Sequence, residues 1–282
     1  MDTNDKPTLV VDGLAFAEGP RWHDGKLWFS DFYTHEVKCI DANGSATTVA
    51  RVPGQPSGLG WLPDGRMLVV SMTDRQLLRQ DGDRMTIVAD LSGLAPFHCN
   101  DMVVDRRGRA YIGNFGFDLV AREAPRATVL ILVTPDGKAR VAADDLLFPN
   151  GCVISADERT LVVAETFGKR LTAFDIAEDG SLSNRRIWAE LGDASPDGIC
   201  LDSEGAIWVA SPTTSEFLRV HEGGNISARI PSEQQAIACA LGGTDGKTLY
   251  MVTGRVGRAE KSLVERSGKI YSVRVAVPGV AS

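Results

Sequence analysis

The sequence predicts an all-β protein built from six similar units, and three observations carry this prediction. A small or polar residue, usually beside Gly or Asp, recurs at intervals of 39 to 50 residues, followed by an apolar run, a tight turn and a second apolar run. This interval matches one propeller blade and exceeds a helical repeat of about 34 residues. The apolar residues alternate or form short blocks, as strands do, without a long amphipathic helical pattern. The recurring residues, here called the anchor residues, are Glu18, Ser57, Asn100, Asn150, Asp197 and Ala238.

The first unit shows the pattern that the other units follow. Residues 19–22 lead through the turn Asp24-Gly25 to the apolar residues 27–31, and further short segments follow at 36–41 and 47–50. Asp-Gly pairs suit the positive φ angles of a tight hairpin. The pattern therefore predicts four short antiparallel strands in each unit. If the units surround an axis, the anchor residues form a ring.

Two segments fall outside the repeated pattern. Residues 115–127 extend the third unit after its second strand, and we interpret them as a lid, because insertions of this kind usually lie on one face. Arg122 and Glu123 within this segment are interpreted as solvated charges. The run Leu9-Val10-Val11 precedes the first unit. We expect it to form the outer strand of the sixth unit, since a closed ring must pair its first and last sheets.

The composition indicates a globular protein for which cations or small neutral ligands are better-fitting partners than nucleic acid. The chain has 282 residues, a formal net charge of -7 and a pI near 5.2, so it offers no basic face for nucleic acid. No apolar run reaches the roughly 18 residues of a membrane span. Five cysteines without a C-x-x-C pair argue against a disulfide framework. We expect one domain over residues 1–282, a cytoplasmic location, and a monomer or weak homo-oligomer.

Four short motifs lie at the anchor positions, in the right order and at blade spacing. Through them the chain resembles the senescence marker protein/gluconolactonase (regucalcin-like) family over nearly its full length. The motifs are Glu18-Gly19-Pro20, Asn100-Asp101, Pro149-Asn150-Gly151 and Pro196-Asp197-Gly198.

The resemblance implies a six-bladed β-propeller with four-stranded blades and one divalent metal ion in the central channel. It implies that Glu18, Asn150 and Asp197 are metal ligands and that Asn100 contacts the metal, bound water or substrate. Activities in the family include the hydrolysis of sugar lactones, and relatives of this architecture hydrolyse other lactones or organophosphates.

The four polar anchors suit a hard cation. Two carboxylates and two amide oxygens match Ca²⁺, Mg²⁺ or Mn²⁺ better than a metal that selects thiolates. We expect Ca²⁺, with Zn²⁺, Mn²⁺ and Fe²⁺ as alternatives. Four protein ligands leave open positions on the ion for water and substrate. Asp197 is the expected catalytic base.

The residues expected to bind substrate flank these ligands. The expected contacts are Asn100, His98, Asp101, Phe115 and Phe167. His98 stands where sugar-lactone members often carry an arginine, and it is interpreted either as a substrate contact or proton carrier, or as a hydrogen-bonded channel residue. The flanking residues Phe97, Phe115, Phe148 and Phe167 allow a lactone or ester less polar than a sugar lactone.

Other polar and sulfur-containing residues have two interpretations each. Glu165 and Asn114 end the second strands of their units, where they either support the metal ligands or complete the strand end. Most cysteines lie in or beside the first strand of a unit, where core packing is favoured over a role as nucleophile or ligand. The function predicted first is a metal-dependent lactone or ester hydrolase. The alternatives are a metal-binding propeller without turnover and a phosphotriester hydrolase.

Overall fold

The structure is a computed structural model that describes residues 6–41 and 44–280. Residues 1–5, 42–43 and 281–282 of the predicted domain lie outside the described residues. The described residues contain 24 strands in six four-stranded antiparallel sheets, which confirms the predicted six-bladed propeller.

The first three blades use consecutive strands. Blade 1 contains β2 (Ala17–His23), β3 (Lys26–Asp31), β4 (Glu36–Ile40) and β5 (Ala46–Arg51). Blade 2 contains β6 (Pro56–Trp61), β7 (Met67–Ser71), β8 (Gln76–Asp81) and β9 (Arg84–Asp90). Blade 3 contains β10 (Cys99–Val104), β11 (Ala110–Asn114), β12 (Thr128–Val133) and β13 (Ala139–Leu146).

Blades 4 and 5 also use consecutive strands, whereas blade 6 combines strands from both ends of the described chain. Blade 4 contains β14 (Pro149–Ile154), β15 (Thr160–Glu165), β16 (Arg170–Ile176) and β17 (Leu182–Glu190). Blade 5 contains β18 (Ile199–Leu201), β19 (Ile207–Ser211), β20 (Glu216–Val220) and β21 (Ile226–Pro231). Blade 6 contains β22 (Gln235–Gly242), β23 (Thr248–Gly254), β24 (Gly268–Arg274) and β1 (Thr8–Leu14).

Strand β1 closes the ring. It pairs antiparallel with β24, with Thr8 opposite Ser272 and Leu9 opposite Tyr271. The outermost position of blade 6 is therefore filled by the run Leu9-Val10-Val11, as predicted. Helical structure among the described residues is short: a 3-10 turn at Phe32–Thr34 and α1 (Ala259–Glu265) between β23 and β24.

The apolar core lies between the blades. Each of six buried clusters draws its residues from two neighbouring blades, so the ring has six interfaces of similar kind. Large buried side chains occupy them, such as Phe29 between blades 6 and 1 and Trp208 between blades 5 and 6. Every blade is thus stabilised by two neighbours, and the inner strands are left to line the channel.

No helix within the described ranges has both the length and the apolar composition needed to cross a lipid bilayer.

Candidate metal centre and active site

The anchor residues lie at irregular positions of the inner strands. In five blades the pairing of the first and second strands is interrupted at or beside the anchor, for example between Glu18 and Arg21 and between Pro149 and Cys152. Such an interruption bends the strand and changes the direction of a side chain. In blade 5, Asp197 comes just before β18. All six anchors are buried.

Glycine follows several anchors because the inner strands of neighbouring blades nearly touch there. A Cβ at Gly151 would lie 2.6 Å from the amide nitrogen of Ile199 and 2.7 Å from the carbonyl oxygen of Asp197. A Cβ at Gly198 would overlap Ala238 of blade 6. Glycine therefore lets the blades approach closely enough for their anchors to meet at the axis.

Two pairs of anchors are in direct contact. The Asn150 Nδ2 donates a short hydrogen bond to Asp197 Oδ1, which joins blades 4 and 5. Ser57 Oγ donates to Asn100 Oδ1 at 3.4 Å, which joins blades 2 and 3. Four of the six anchors are thus joined in pairs by hydrogen bonds between neighbouring blades.

Ionisation of the two anchor carboxylates, Glu18 and Asp197, is unfavourable in the absence of a cation. Burial raises the pKa of Asp197 to about 8; the hydrogen bond from Asn150 opposes this shift, and the charge of Asp101 adds to it. Burial, followed by the charges of Asp197 and Asp101, raises the pKa of Glu18 well above its usual value. A positive charge placed between these groups would favour their ionised forms.

The donor set of the anchors fits a hard divalent cation. Among the described residues, no three Asp, Glu, His or Cys side chains come close enough to hold an ion. The anchors differ from such a site in combining two carboxylates with two amides, which is a set that Ca²⁺ accepts. The buried Nδ2 of Asn100 has no hydrogen-bond partner. Turning this amide over would let Nδ2 donate to Ser57 and place Oδ1 in the unpartnered position, as a ligand oxygen requires.

Asp101, one of the expected substrate contacts, is bonded within the protein. Its Oδ1 accepts hydrogen bonds from Arg21 Nη2 at 2.7 Å and from the Met102 amide at 2.8 Å. The Arg21 guanidinium also donates to the carbonyl oxygens of Pro20 and Met102. The carboxylate is therefore fixed in place, and it acts on Glu18 and Asp197 through its charge.

Thr166 is a site residue that sequence reasoning missed. Its hydroxyl donates to the Pro196 carbonyl at 2.8 Å and lies 3.2 Å from Asn150 Nδ2. It therefore connects one predicted ligand to the residue just before another. The only signal in the sequence is its place directly after β15, where a threonine resembles any turn residue.

Glu165 and Asn114 complete their strand ends and do not bond the predicted ligands. Glu165 accepts the Leu147 amide at 2.8 Å and is held by Arg170 and Thr172. Asn114 bonds Thr128 and the Val129 carbonyl. Glu165 thereby fixes the loop that leads into Asn150, while Asn114 holds the start of β12.

The predicted aromatic contacts form one connected group at the end of the channel that carries the ligands. His98 stacks on Phe97 with 4.0 Å between ring centroids, and Phe115 stacks on Phe148 at 4.6 Å. His98 and Phe115 are 6.0 Å apart, which joins the two pairs. Phe117, which the sequence analysis did not single out, joins the group as well. We call the set the aromatic wall: Phe97, His98, Phe115, Phe117, Phe148 and Phe167.

Three of the four cysteines at the inner strands are buried, namely Cys99, Cys152 and Cys239, and Cys200 is partly buried. Burial raises the pKa of Cys99 to about 12 and also raises the pKa of Cys152 and Cys200. Cys200 lies 3.6 Å from Cys239, sulfur to sulfur. Neutral thiols of this kind are poor nucleophiles.

Sequence and structure comparisons find similar proteins that match this chain over nearly its whole length. The chain is 26% identical over 283 residues to 6-deoxy-6-sulfogluconolactonase from Pseudomonas putida, covering 97% of this chain and 96% of the relative. It is 29% identical over 274 residues to regucalcin from Danio rerio, covering 92% and 89%. The solved structure of the calcium-binding protein regucalcin from Agrobacterium tumefaciens superposes with a TM-score of 0.82 at 22% identity, covering 97% of this chain and 95% of that one.

A family model adds the decisive comparison, because it spans most of the chain. Residues 16–255 match the model described as "SMP-30/Gluconolactonase/LRE-like region". The matched range begins before Glu18 and ends after Ala238, so it includes every anchor residue. This chain therefore belongs to the SMP-30/gluconolactonase/LRE-like family.

Proposed function

We propose that the protein is a metal-dependent hydrolase that opens a lactone or a related ester. The observation that carries the proposal is the hydrogen bond between Asn150 and Asp197, with the two buried carboxylates of Glu18 and Asp197 close enough to raise the pKa of Glu18 in the absence of a cation. A similar protein named a sulfogluconolactonase supports the reaction class. The calcium-binding protein regucalcin supports the choice of a divalent cation.

In this proposal Glu18, Asn100, Asn150 and Asp197 hold the cation. Bound there, a divalent cation supplies a positive charge that polarises the carbonyl group and stabilises negative charge on its oxygen. Asn150 keeps Asp197 in place through its amide, and Thr166 keeps Asn150 in place. The anchors therefore supply the metal ligands, and the hydrogen bonds of Asn150 and Thr166 hold these ligands in position.

Asp197 is the proposed general base. It accepts a proton from the attacking water as the water oxygen bonds to the carbonyl carbon. The bond between the carbonyl carbon and the ring oxygen then breaks, and the departing oxygen takes up the proton. The product is an open-chain hydroxy acid. Beside the cation the carboxylate is ionised, so it can accept the proton of the water and then return it to the departing oxygen.

A metal and substrate panel tests the proposal. Protein stripped with a chelator is resupplied in turn with Ca²⁺, Zn²⁺, Mn²⁺ or Fe²⁺, and each sample is assayed on several lactones. We expect turnover that is absent after stripping and restored by at least one metal. Turnover that is unchanged in stripped protein would contradict metal dependence.

A binding protein without turnover is the second candidate, since the similar regucalcin from Agrobacterium is described as calcium-binding. A propeller fold alone does not establish chemistry. Calorimetry on the same stripped protein measures cation binding directly. Tight cation binding without hydrolysis of any lactone or phosphotriester in the panel would favour this candidate over the hydrolase.

A further inference from the structure

The aromatic wall occupies one side of the channel entrance. Its members come from four loops of blades 3 and 4: those before Asn100 and Asn150, and those after β11 and β15. His98 and Phe148 each lie two residues before a predicted ligand. Phe167 follows Thr166, whose hydroxyl lies beside Asn150. The wall therefore begins directly beside the predicted ligands.

Contacts between rings hold the wall together. Phe148 is the central member, since it contacts Phe115 at 4.6 Å, Phe167 at 5.3 Å and Phe117 at 5.9 Å. Its backbone φ of 60° is held by Glu165, which bonds the preceding amide, and by the Thr166 amide, which donates to the Phe148 carbonyl. The wall is therefore fixed before any substrate arrives, which lowers the entropic cost of binding.

The wall presents mostly apolar surface, and His98 is its one member with a side chain that can form ordinary hydrogen bonds. Phe167 is 41% exposed, and Phe97, His98 and Phe115 are partly exposed. The imidazole of His98 forms no hydrogen bond to a described residue and stacks on Phe97. Hydroxyl groups of a substrate placed against the phenylalanine rings of this surface would lose hydrogen bonds to water without gaining replacements.

We propose that the aromatic wall is a substrate subsite that selects lactones carrying an alkyl or aryl substituent. The ring carbonyl lies at the anchor residues and the substituent lies along the wall. This inference rests on the proposed function for its reaction, while the subsite itself is a binding property. Polyhydroxylated lactones of the same ring size are poorer substrates in this proposal.

Two series of ligands test binding and turnover separately. The first comprises γ-lactones whose substituent grows from methyl to pentyl, with ribonolactone as the polar comparison, assayed with the metal that best supports turnover. The second comprises the corresponding γ-lactams, which resist hydrolysis, with dissociation constants measured by ligand-observed NMR. A chain on an open wall is shielded on one side, so we expect about a twofold gain in affinity for each methylene.

Three variants locate the effect. Phe167→Ser removes an exposed ring of the wall, Phe167→Leu keeps an apolar side chain there, and Ile187→Ser is the matched control because Ile187 is 54% exposed on the outer strand of the same blade. We expect the pentyl lactam to bind about tenfold or more tightly than the methyl lactam in the parent protein, in Phe167→Leu and in Ile187→Ser. In Phe167→Ser the preference for the pentyl lactam over the methyl lactam should fall to about threefold or less.

The outcomes separate the subsite from the reaction. Equal affinity for the methyl and pentyl lactams, an unchanged ratio in Phe167→Ser, or faster turnover of ribonolactone than of the pentyl lactone would overturn the subsite. Absence of turnover on every lactone, with the expected lactam ratios, would refute the proposed hydrolase and support the subsite.

Discussion

Arg21 of blade 1 and Asp101 of blade 3 form an ion pair past the intervening blade 2, with 2.7 Å between Nη2 and Oδ1. Both side chains are mostly buried. On one side of the pair are the carboxylates of Glu18 and Asp197, whose pKa values respond to the charge of Asp101. On the other side Arg21 lines a cavity of about 420 Å³ at the opposite end of the channel. The pair thus lies between the predicted metal centre and that cavity. Within the pair, Arg21 neutralises the carboxylate of Asp101, which is the third carboxylate near the centre.

Replacing Arg21 with Met should destabilise the metal-free protein strongly. Loss of one partner leaves Asp101 buried and unpaired beside two further carboxylates, which typically costs about 3–5 kcal/mol in the free energy of unfolding. Urea denaturation in the presence of a chelator measures this. The double variant Arg21→Met/Asp101→Asn should recover part of the loss. Arg229→Met, which breaks an exposed pair with Glu216, should change little. Equal effects at Arg21 and Arg229 would argue against the assigned role.

Calcium binding should strengthen as pH rises from 6 to 9. The raised pKa of Asp197, about 8, means that a proton occupies the site at neutral pH in the metal-free protein. The cation must displace this proton, so its affinity increases until the carboxylate is ionised. The same shift makes metal-free folding less favourable above pH 4, since the folded state penalises the ionised form. Isothermal titration calorimetry over this pH range provides the measurement, and a flat profile would contradict the raised pKa.

Asp197→Asn should separate catalysis from folding. We expect turnover to fall by a factor on the order of hundreds or more, because the amide cannot accept the proton of the attacking water. The melting temperature of the metal-free variant at pH 8 should be equal to that of the parent or higher, because a buried ionised carboxylate is removed. Turnover close to that of the parent, measured on a lactone that the parent hydrolyses, would exclude the role of base.

Thr166→Val should weaken the site while leaving its shape intact. The change removes the hydroxyl that connects Asn150 to the Pro196 carbonyl, and loss of such a supporting bond typically costs about tenfold or more in metal affinity. Thr166→Ser is the matched control, because it keeps the hydroxyl. Calcium dissociation constants measured for the two variants test this prediction, and Thr166→Val should have the larger constant. If Val and Ser at this position bind calcium equally well, the connection does not support the ligand.

Removal of residues 1–12 should lower the melting temperature by several degrees and promote aggregation. The deletion takes away most of β1 and exposes the edge of β24 at blade 6. Thermal unfolding and light scattering report the two effects. An unchanged melting temperature would mean that the pairing of Leu9 with Tyr271 contributes little to closure of the ring.

The sequence was sufficient for the architecture because each blade repeats local signals. The turn-and-strand pattern around Glu18 or Asn150 appears within a few residues. The place of the run Leu9-Val10-Val11 in blade 6 follows from the need to close a ring. The anchor positions could be predicted for the same reason, since they repeat at the same place in every blade. Their contacts, such as that between Asn150 and Asp197, then followed from the radial arrangement.

The supporting contacts could not be predicted, since they join blades by pairs that no local pattern marks. Arg21 meets Asp101 across 80 positions of sequence, and Thr166 meets Pro196 across 30. For Glu165 the position at a strand end was predicted, but its bonding partner was not. The carboxylate accepts a hydrogen bond from the Leu147 amide and does not bond a predicted metal ligand. Phe117 joined the wall only because the inserted segment folds back onto Phe148 and Phe167.

The one-sided position of the aromatic wall has a stereochemical consequence. Six similar blades surround the channel, yet the wall covers only blades 3 and 4, while the proposed base Asp197 belongs to blade 5. A γ-substituted lactone placed with its substituent on the wall and its carbonyl at the anchors would present one face of that carbonyl to the base. Its mirror image would present the other face, so the two enantiomers of a racemic lactone would be hydrolysed at different rates.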